Sequence, residues 1–205
     1  MSSVVELSKA QFQDLKFAPN KSTSDKIFMK LYYNKKPFLF KIPKVKIPFD
    51  SQKNNYGQIE VCVSVPAELA EYFKKMDTAI EELLKKEKPG AQYEFMTSLK
   101  QSNPSFDPLF KFKIFNAQGK YPALFDADKK PITTLTDNDM LLHLKKRTQA
   151  IFAIECSGLW IREGKCGVSF KLVQGRVFDS ENTPQDDDYA FDDSDSSIEE
   201  CLFQD

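Results

Sequence analysis

The chain has 205 residues, with 29 Lys and Arg against 30 Asp and Glu, so its formal charge is only -1. That near-neutrality hides two opposed blocks: eleven acids and no base lie from Asp179 onward, which leaves 29 bases against nineteen acids, a formal +10, in residues 1–178 and -11 in residues 179–205. No apolar run reaches the roughly 20 residues needed to cross a bilayer, and four scattered cysteines with one histidine, His143, do not make a zinc site.

The expected organisation is one domain over 1–178 and a disordered acidic tail over 179–205. A basic body is the electrostatic footprint of a polyanion binder, and an acidic block with little to bury stays solvated and serves as an interaction tail. Residues 1–12 (MSSVVELSKAQF) lack the basic and apolar regions of a secretory leader, and isolated thiols suit a reducing compartment. The expected location is intracellular, with no membrane partner.

After a polar lead-in, residues 27–33 (IFMKLYY) alternate as a strand, with Phe28, Lys30 and Tyr32 on one face. Residues 37–42 and 44–49 continue in short apolar pieces broken by Pro37, Pro43 and Pro48, a pattern of edge strands or strand ends. Residues 59–65 (IEVCVSV) form a clear strand. Pro66 then opens an amphipathic helix, in which Leu69, Phe73, Met76, Ile80, Leu83 and Leu84 recur at helical spacing and Glu71–Lys75, Glu81–Lys85 and Glu82–Lys86 pair at i,i+4. It ends near Pro89-Gly90.

Strands return at 93–99, 109–115 and 122–125. Thr136 and Asp139 form the signature of a capping box for a short helix through Leu144. The body closes with strands at 149–156, 158–162 and 166–178, the last two joined by a Glu163-Gly164 hairpin turn. Because strands do not alternate regularly with helices, the expected fold is a mainly β barrel with helical insertions.

No phosphate-cradling glycine loop, dinucleotide fingerprint or nucleophile elbow is present, and no second histidine stands ready to pair with a cysteine. The reading is a non-enzyme with no cofactor. The constructive signal is bases interleaved with aromatics on strand faces, as single-stranded nucleic acid requires, since it offers phosphates and unstacked bases together. Phe28, Lys30 and Tyr32 share one face, and Trp160 and Arg162 share another. Lys41 sits in the proline-punctuated segment, Lys111 and Lys113 oppose the core residues Phe110, Phe112 and Ile114, and Lys171 points away from Phe170 and Leu172. These nine residues are the candidate DNA contacts. In the tail, Tyr189, Phe191, Leu202 and Phe203 place apolar groups among acids, which suggests docking to a partner.

Four features together resemble a known family: KIFMKLYYNKKPFLFKIPKV, the helix inserted after IEVCVSV, GLWIREGKCGVSFKLVQGRVF, and an acidic C-terminus with a hydrophobic residue near its end. The family is the single-stranded DNA-binding proteins of large nucleocytoplasmic DNA viruses, related to the replication single-strand binders of short-tailed phages. The resemblance implies a five-stranded OB-type barrel elaborated by extra strands and a helix, and binding of single-stranded DNA without sequence preference. It also implies an acidic tail that contacts replication proteins such as a polymerase or helicase, and a possible homodimer. Trp160 and Lys171 are the contacts it carries over. In the phage relatives the final residue is aromatic, whereas here Phe203 is followed by Gln204 and Asp205, so the resemblance leaves Phe203 unassigned. The competing expectation is a protein-interaction or chaperone-like module whose acidic tail binds basic partners; in that case the tail alone would bind.

Overall fold

The computed structural model describes residues 4–18, 27–101, 103–134 and 136–178. The expected acidic tail, with Tyr189, Phe191, Leu202 and Phe203, lies outside the described residues. The strands in chain order are β1 (Val5–Glu6), β2 (Leu15–Phe17), β3 (Ile27–Tyr33), β4 (Lys36–Lys46), β5 (Gln52–Lys53) and β6 (Ile59–Ser64). They continue with β7 (Glu94–Met96), β8 (Leu99–Lys100), β9 (Leu109–Ile114), β10 (Ala123–Phe125), β11 (Pro131–Ile132), β12 (Gln149–Arg162) and β13 (Lys165–Phe178). Two α-helices interrupt them, α1 (Ala67–Glu87) after β6 and α2 (Asp137–His143) before β12.

Five of these strands build the barrel. β4 pairs antiparallel with β12, β12 with β13, and β9 with β6, while β13 and β9 run parallel. β6 returns alongside β4 and brings the two ends of the sheet together. The order β4-β12-β13-β9-β6 is that of an OB-type Greek-key barrel, with α2 on the crossover between its third and fourth strands and α1 as an insertion between its second and third.

Alternation along each strand fills the interior. Phe38, Phe40 and Ile42 of β4, Val61 and Val63 of β6, Phe110 and Phe112 of β9 and Phe152 and Ile154 of β12 are all buried. The rings form a connected chain, with Phe73 of α1 4.5 Å from Phe110, Phe110 4.8 Å from Phe170, and Phe112 4.9 Å from Phe152. Much of the aromatic surplus in the sequence is therefore core. Truncating one such Phe to Ala costs about 3–5 kcal/mol.

The helix predicted after Pro66 is present, with Leu69, Phe73, Met76, Ile80 and Leu84 buried. Lys85 pairs with Glu81 as expected, but Glu71 pairs with Lys74 at i,i+3, and Lys75 instead lies 5.3 Å from the Tyr72 ring. The capping box of α2 forms, with the Asp139 N–H donating to the Thr136 hydroxyl and the Thr136 N–H to the Asp139 carboxylate.

Two expectations are corrected. The proline-broken region is one strand of 11 residues, and it sits inside the sheet, flanked by β1 on one side and by β3 and β12 on the other. Its register with β12 shifts between Ile42 and Val45, so Pro43 falls in an irregular stretch that asks no N–H of it. Likewise residues 149–156 and 158–162 are a single strand of 14 residues, kinked where Ser157 has no partner and Gly158 comes close to β3. Residues 93–99, in contrast, divide into β7 and β8.

Candidate nucleic-acid interface

β12 and β13 form a long antiparallel ribbon whose connecting turn, Glu163-Gly164, has positive φ at both positions (52° and 76°), the conformation a tight hairpin demands. Near this turn the register aligns four residues across four strands. Trp160 of β12 faces Phe28 of β3 on one side and Gly167 of β13 on the other, and Gly167 in turn faces Met96 of β7. Directly opposed residues project from the same side of a sheet, so Phe28, Trp160 and Met96 share one outer face.

The indole lies over Gly167. A methyl group there would come within 2.7 Å of the Trp160 ring, so the position tolerates no side chain without displacing the tryptophan. Phe28 is 46% exposed, which is unusual for a strand phenylalanine with a core available to it. The outcome is an apolar shelf on the outer face in which Phe28 is exposed, Trp160 and Met96 are half-buried and Gly167 lies beneath the indole.

Bases border the shelf on both sides. Arg162 and Lys165 form the next pair toward the turn, and Lys30, opposite Gly158, lies on the side away from it. Arg162 is charged under all ordinary conditions, and the adjacent Glu163 carboxylate, at 2.8 Å, together with the Tyr56 hydroxyl raises its pKa further. Tyr56, 79% exposed, stands on the turn between β5 and β6. Asn54 shapes that turn: its side-chain carbonyl accepts from the Tyr56 and Gln58 N–H groups at 3.0 Å, and its amide donates to Glu60. The β4–β6 connection thus brings an aromatic ring to the β12–β13 hairpin. These two loops are the ones that flank the oligonucleotide cleft in barrels of this type.

The middle of the barrel presents a different surface. The register runs Leu39, Glu155, Lys171, Lys113, Glu60 across β4, β12, β13, β9 and β6. All are on the outside, as expected for Lys113 and Lys171, but the lysines are engaged. Lys171 lies 3.0 Å from Glu155, Lys111 2.8 Å from Glu60 and Lys113 3.8 Å from the same carboxylate. Burial pushes the Glu60 carboxyl up, but hydrogen bonds from Lys111 and Asn54 outweigh it and hold the group below its ordinary value, ionised. The strand lysines face outward while contributing little net charge.

Of the remaining expected contacts, Lys30 follows Phe28 on the shelf face. Tyr32 lies further along β3, opposite Lys16 and Pro37, where β3 has left β12. Lys41 is exposed on β4 opposite Ala153, beside Glu6 of β1. The structure therefore brings Phe28, Lys30, Trp160 and Arg162 together, groups Lys111, Lys113 and Lys171 elsewhere, and separates Tyr32 and Lys41 from both.

Tyr56, Lys165, Gly167 and Met96 join the site without having been picked from the sequence. A tyrosine inside an Asn-Asn-Tyr-Gly turn was the available signal for the first, because turns have no core to bury a ring in. Met96 is positioned indirectly: the buried Asp77 of α1 accepts hydrogen bonds from both the N–H and the hydroxyl of Ser98, which ties the segment after β7 to the helix.

Among the described residues no group of His, Cys, Asp and Glu is arranged to hold a metal ion, and no helix is long and apolar enough to cross a membrane. No protein-family model and no curated protein sequence matches the chain.

Among solved structures, the single-stranded DNA-binding protein from bacteriophage Enc34 is similar, with 15% identity over 88% of this chain and 98% of that one and a TM-score of 0.46. The same phage protein in complex with ssDNA gives 13% identity over 78% of this chain and 94% of that one, with a TM-score of 0.45. The single-stranded DNA-binding protein gp2.5 of bacteriophage T7 gives 11% identity over 77% of this chain and 97% of that one, with a TM-score of 0.42.

Proposed function

We propose that this chain is a non-sequence-specific single-stranded DNA-binding protein acting in viral DNA replication and recombination. The observation that carries the reading is the outer-face row of Phe28, Trp160, Gly167 and Met96, with Phe28 exposed, between Lys30 on one side and Arg162 and Lys165 on the other. A ring that has no need to be exposed, set beside cations, matches the two things an unpaired strand offers: base faces to stack and phosphates to neutralise. Nothing in the row presents a set of hydrogen-bond donors and acceptors that would tell one base from another, so the binding is indifferent to sequence.

Phe28, Tyr56 and Trp160 are the stacking candidates and Lys30, Arg162 and Lys165 the phosphate contacts. Lys41, Lys111, Lys113 and Lys171 act at longer range. The acidic residues 179–205, with charge -11 against +10 on the body, compete with DNA for the basic face at high local concentration. Once displaced, they offer Tyr189, Phe191, Leu202 and Phe203 to a replication partner such as a polymerase or helicase. Homodimerisation belongs to the same reading.

The test is titration of the full-length protein with oligo-dT, duplex DNA and RNA at several salt concentrations, following the lone tryptophan. Quenching of Trp160, steep salt dependence, weak duplex binding and tighter binding after truncation at Asp179 are expected. If the truncated body ignores oligo-dT at low salt, the proposal is wrong; if the isolated tail alone binds basic proteins, the interaction-module reading replaces it.

A further inference from the structure

The β12–β13 ribbon carries a second aromatic and basic cluster at the end opposite the Trp160 shelf. The register there runs Lys46, Gln149, Phe178 across β4, β12 and β13. The Phe178 ring, partly buried, has Lys44 Nζ 4.4 Å from its centroid and Arg176 Cζ 4.9 Å from it. The guanidinium of Arg176 is partly spent on the Ala127 carbonyl, while its buried Nε has no hydrogen-bond partner among the described residues. Beside this cluster lies a shallow depression of about 270 Å³ lined by Lys44, Lys46, Ser64, Asp107 and Gln149. Neither Lys44 nor Lys46 forms an ion pair among the described residues, whereas the lysines at the middle of the ribbon do. Asp107, the one acid in the depression, accepts a hydrogen bond from Ser64 at 3.1 Å.

We infer that this end is a second anchor for single-stranded nucleic acid: Lys44 and Lys46 take phosphates at the depression and Phe178 offers a ring to a base. The inference rests on the proposed function and extends it. Trp160 and Phe178 lie at opposite ends of strands of 14 residues, roughly 35 Å apart along the ribbon, on the same outer face. A strand spanning both passes over the Glu155–Lys171 row, which neither attracts nor repels it strongly, and is held at its two ends. Site sizes for barrels of this type run from about 4 to 16 nucleotides, and two separated anchors put this protein toward the upper end.

The experiment compares full-length wild-type protein with the double variant Lys44→Ala/Lys46→Ala, using labelled oligo-dT of about 5 and about 16 nucleotides at several salt concentrations. Both substitutions are at exposed strand positions, and a thermal melt checks that the fold is kept. The short oligonucleotide should bind wild type and variant alike, through the Trp160 end. The long one should bind wild type more tightly, and the variant should lose that gain, with a log–log salt slope shallower by about 1.4, the value for two lost phosphate contacts on a single strand. Asp107→Asn should strengthen long-oligonucleotide binding.

Unchanged slope and unchanged length dependence in the double variant would overturn the second anchor while leaving the proposed function intact. Equal weakening of the short oligonucleotide would also overturn it, since the lysines would then act as general attraction. If wild type binds neither length, both readings fall together.

Discussion

Two regions of the same outer face carry basic residues, and they are not equivalent. At the hairpin end of the β12–β13 ribbon, exposed rings stand next to cations of which Lys30 has no ion pair among the described residues. In the middle of the barrel, Lys111, Lys113 and Lys171 are held by Glu60 and Glu155. Half-exposed ion pairs of this kind are each worth at most about 1 kcal/mol, so they serve the sheet little and their main effect is to silence charge. Each outward lysine in the middle of the ribbon thus has a carboxylate within 4 Å, whereas Lys30 beside the rings has none among the described residues.

The largest expected effect lies at the shelf. Trp160→Ala should weaken oligo-dT binding by about 1–3 kcal/mol, roughly 5- to 150-fold, whereas Lys113→Ala should change it less than about threefold. Anisotropy titrations of the two variants side by side decide this; equal losses would erase the distinction between the two regions.

The next effect concerns stability and the support of β7. Burial pushes the Asp77 carboxyl up to about 6, against the opposing hydrogen bonds from Ser98. The native state therefore keeps a proton that the unfolded chain has released, so stability falls as pH rises from about 4 to about 6 and is level above that. Asp77→Asn should flatten that slope, a change on the order of 2 kcal/mol between urea melts at pH 4 and pH 7. A wild-type protein equally stable at both pH values would contradict it.

Gly167→Ala sharpens the comparison without removing a ring. The added methyl collides with the indole, so Trp160 must move off the shelf; a fluorescence shift and an affinity loss of about tenfold should accompany a stability cost of about 1–3 kcal/mol. Retained affinity with a displaced tryptophan would show that the shelf's geometry does not matter. The smallest effect is the converse experiment at mid-barrel. Glu155→Gln should release Lys171 from its carboxylate and steepen the salt slope by about 0.7, and Glu60→Gln should act in the same direction through Lys113. If neither slope moves, the lysines lie off the path of the strand.

Much of the fold was legible locally. The period-two runs at 27–33, 59–65 and 109–115, the helical spacing after Pro66 and the Thr136 capping box each depend on neighbours a few residues away, and each forms. The proline-rich segment misled because proline's cost depends on whether its missing N–H faces a partner, and the irregular register around Pro43 removes that demand. At the site, Trp160 and Arg162 stood out because they are two apart on a strand. Tyr56 and Met96 did not, since each comes from an element far away in the sequence, and Gly167 did not because its place under the indole depends on the exact hairpin register.

By itself, then, the sequence determined the charge blocks, the helices, most of the strands and the side of those strands that faces out, because these follow from composition and from periods of two and 3.6 residues. Only the tertiary structure decided which outward lysine meets a carboxylate and which aromatic stays in solvent. Both depend on cross-strand register, and register is fixed by the packing of the whole barrel rather than by any one segment.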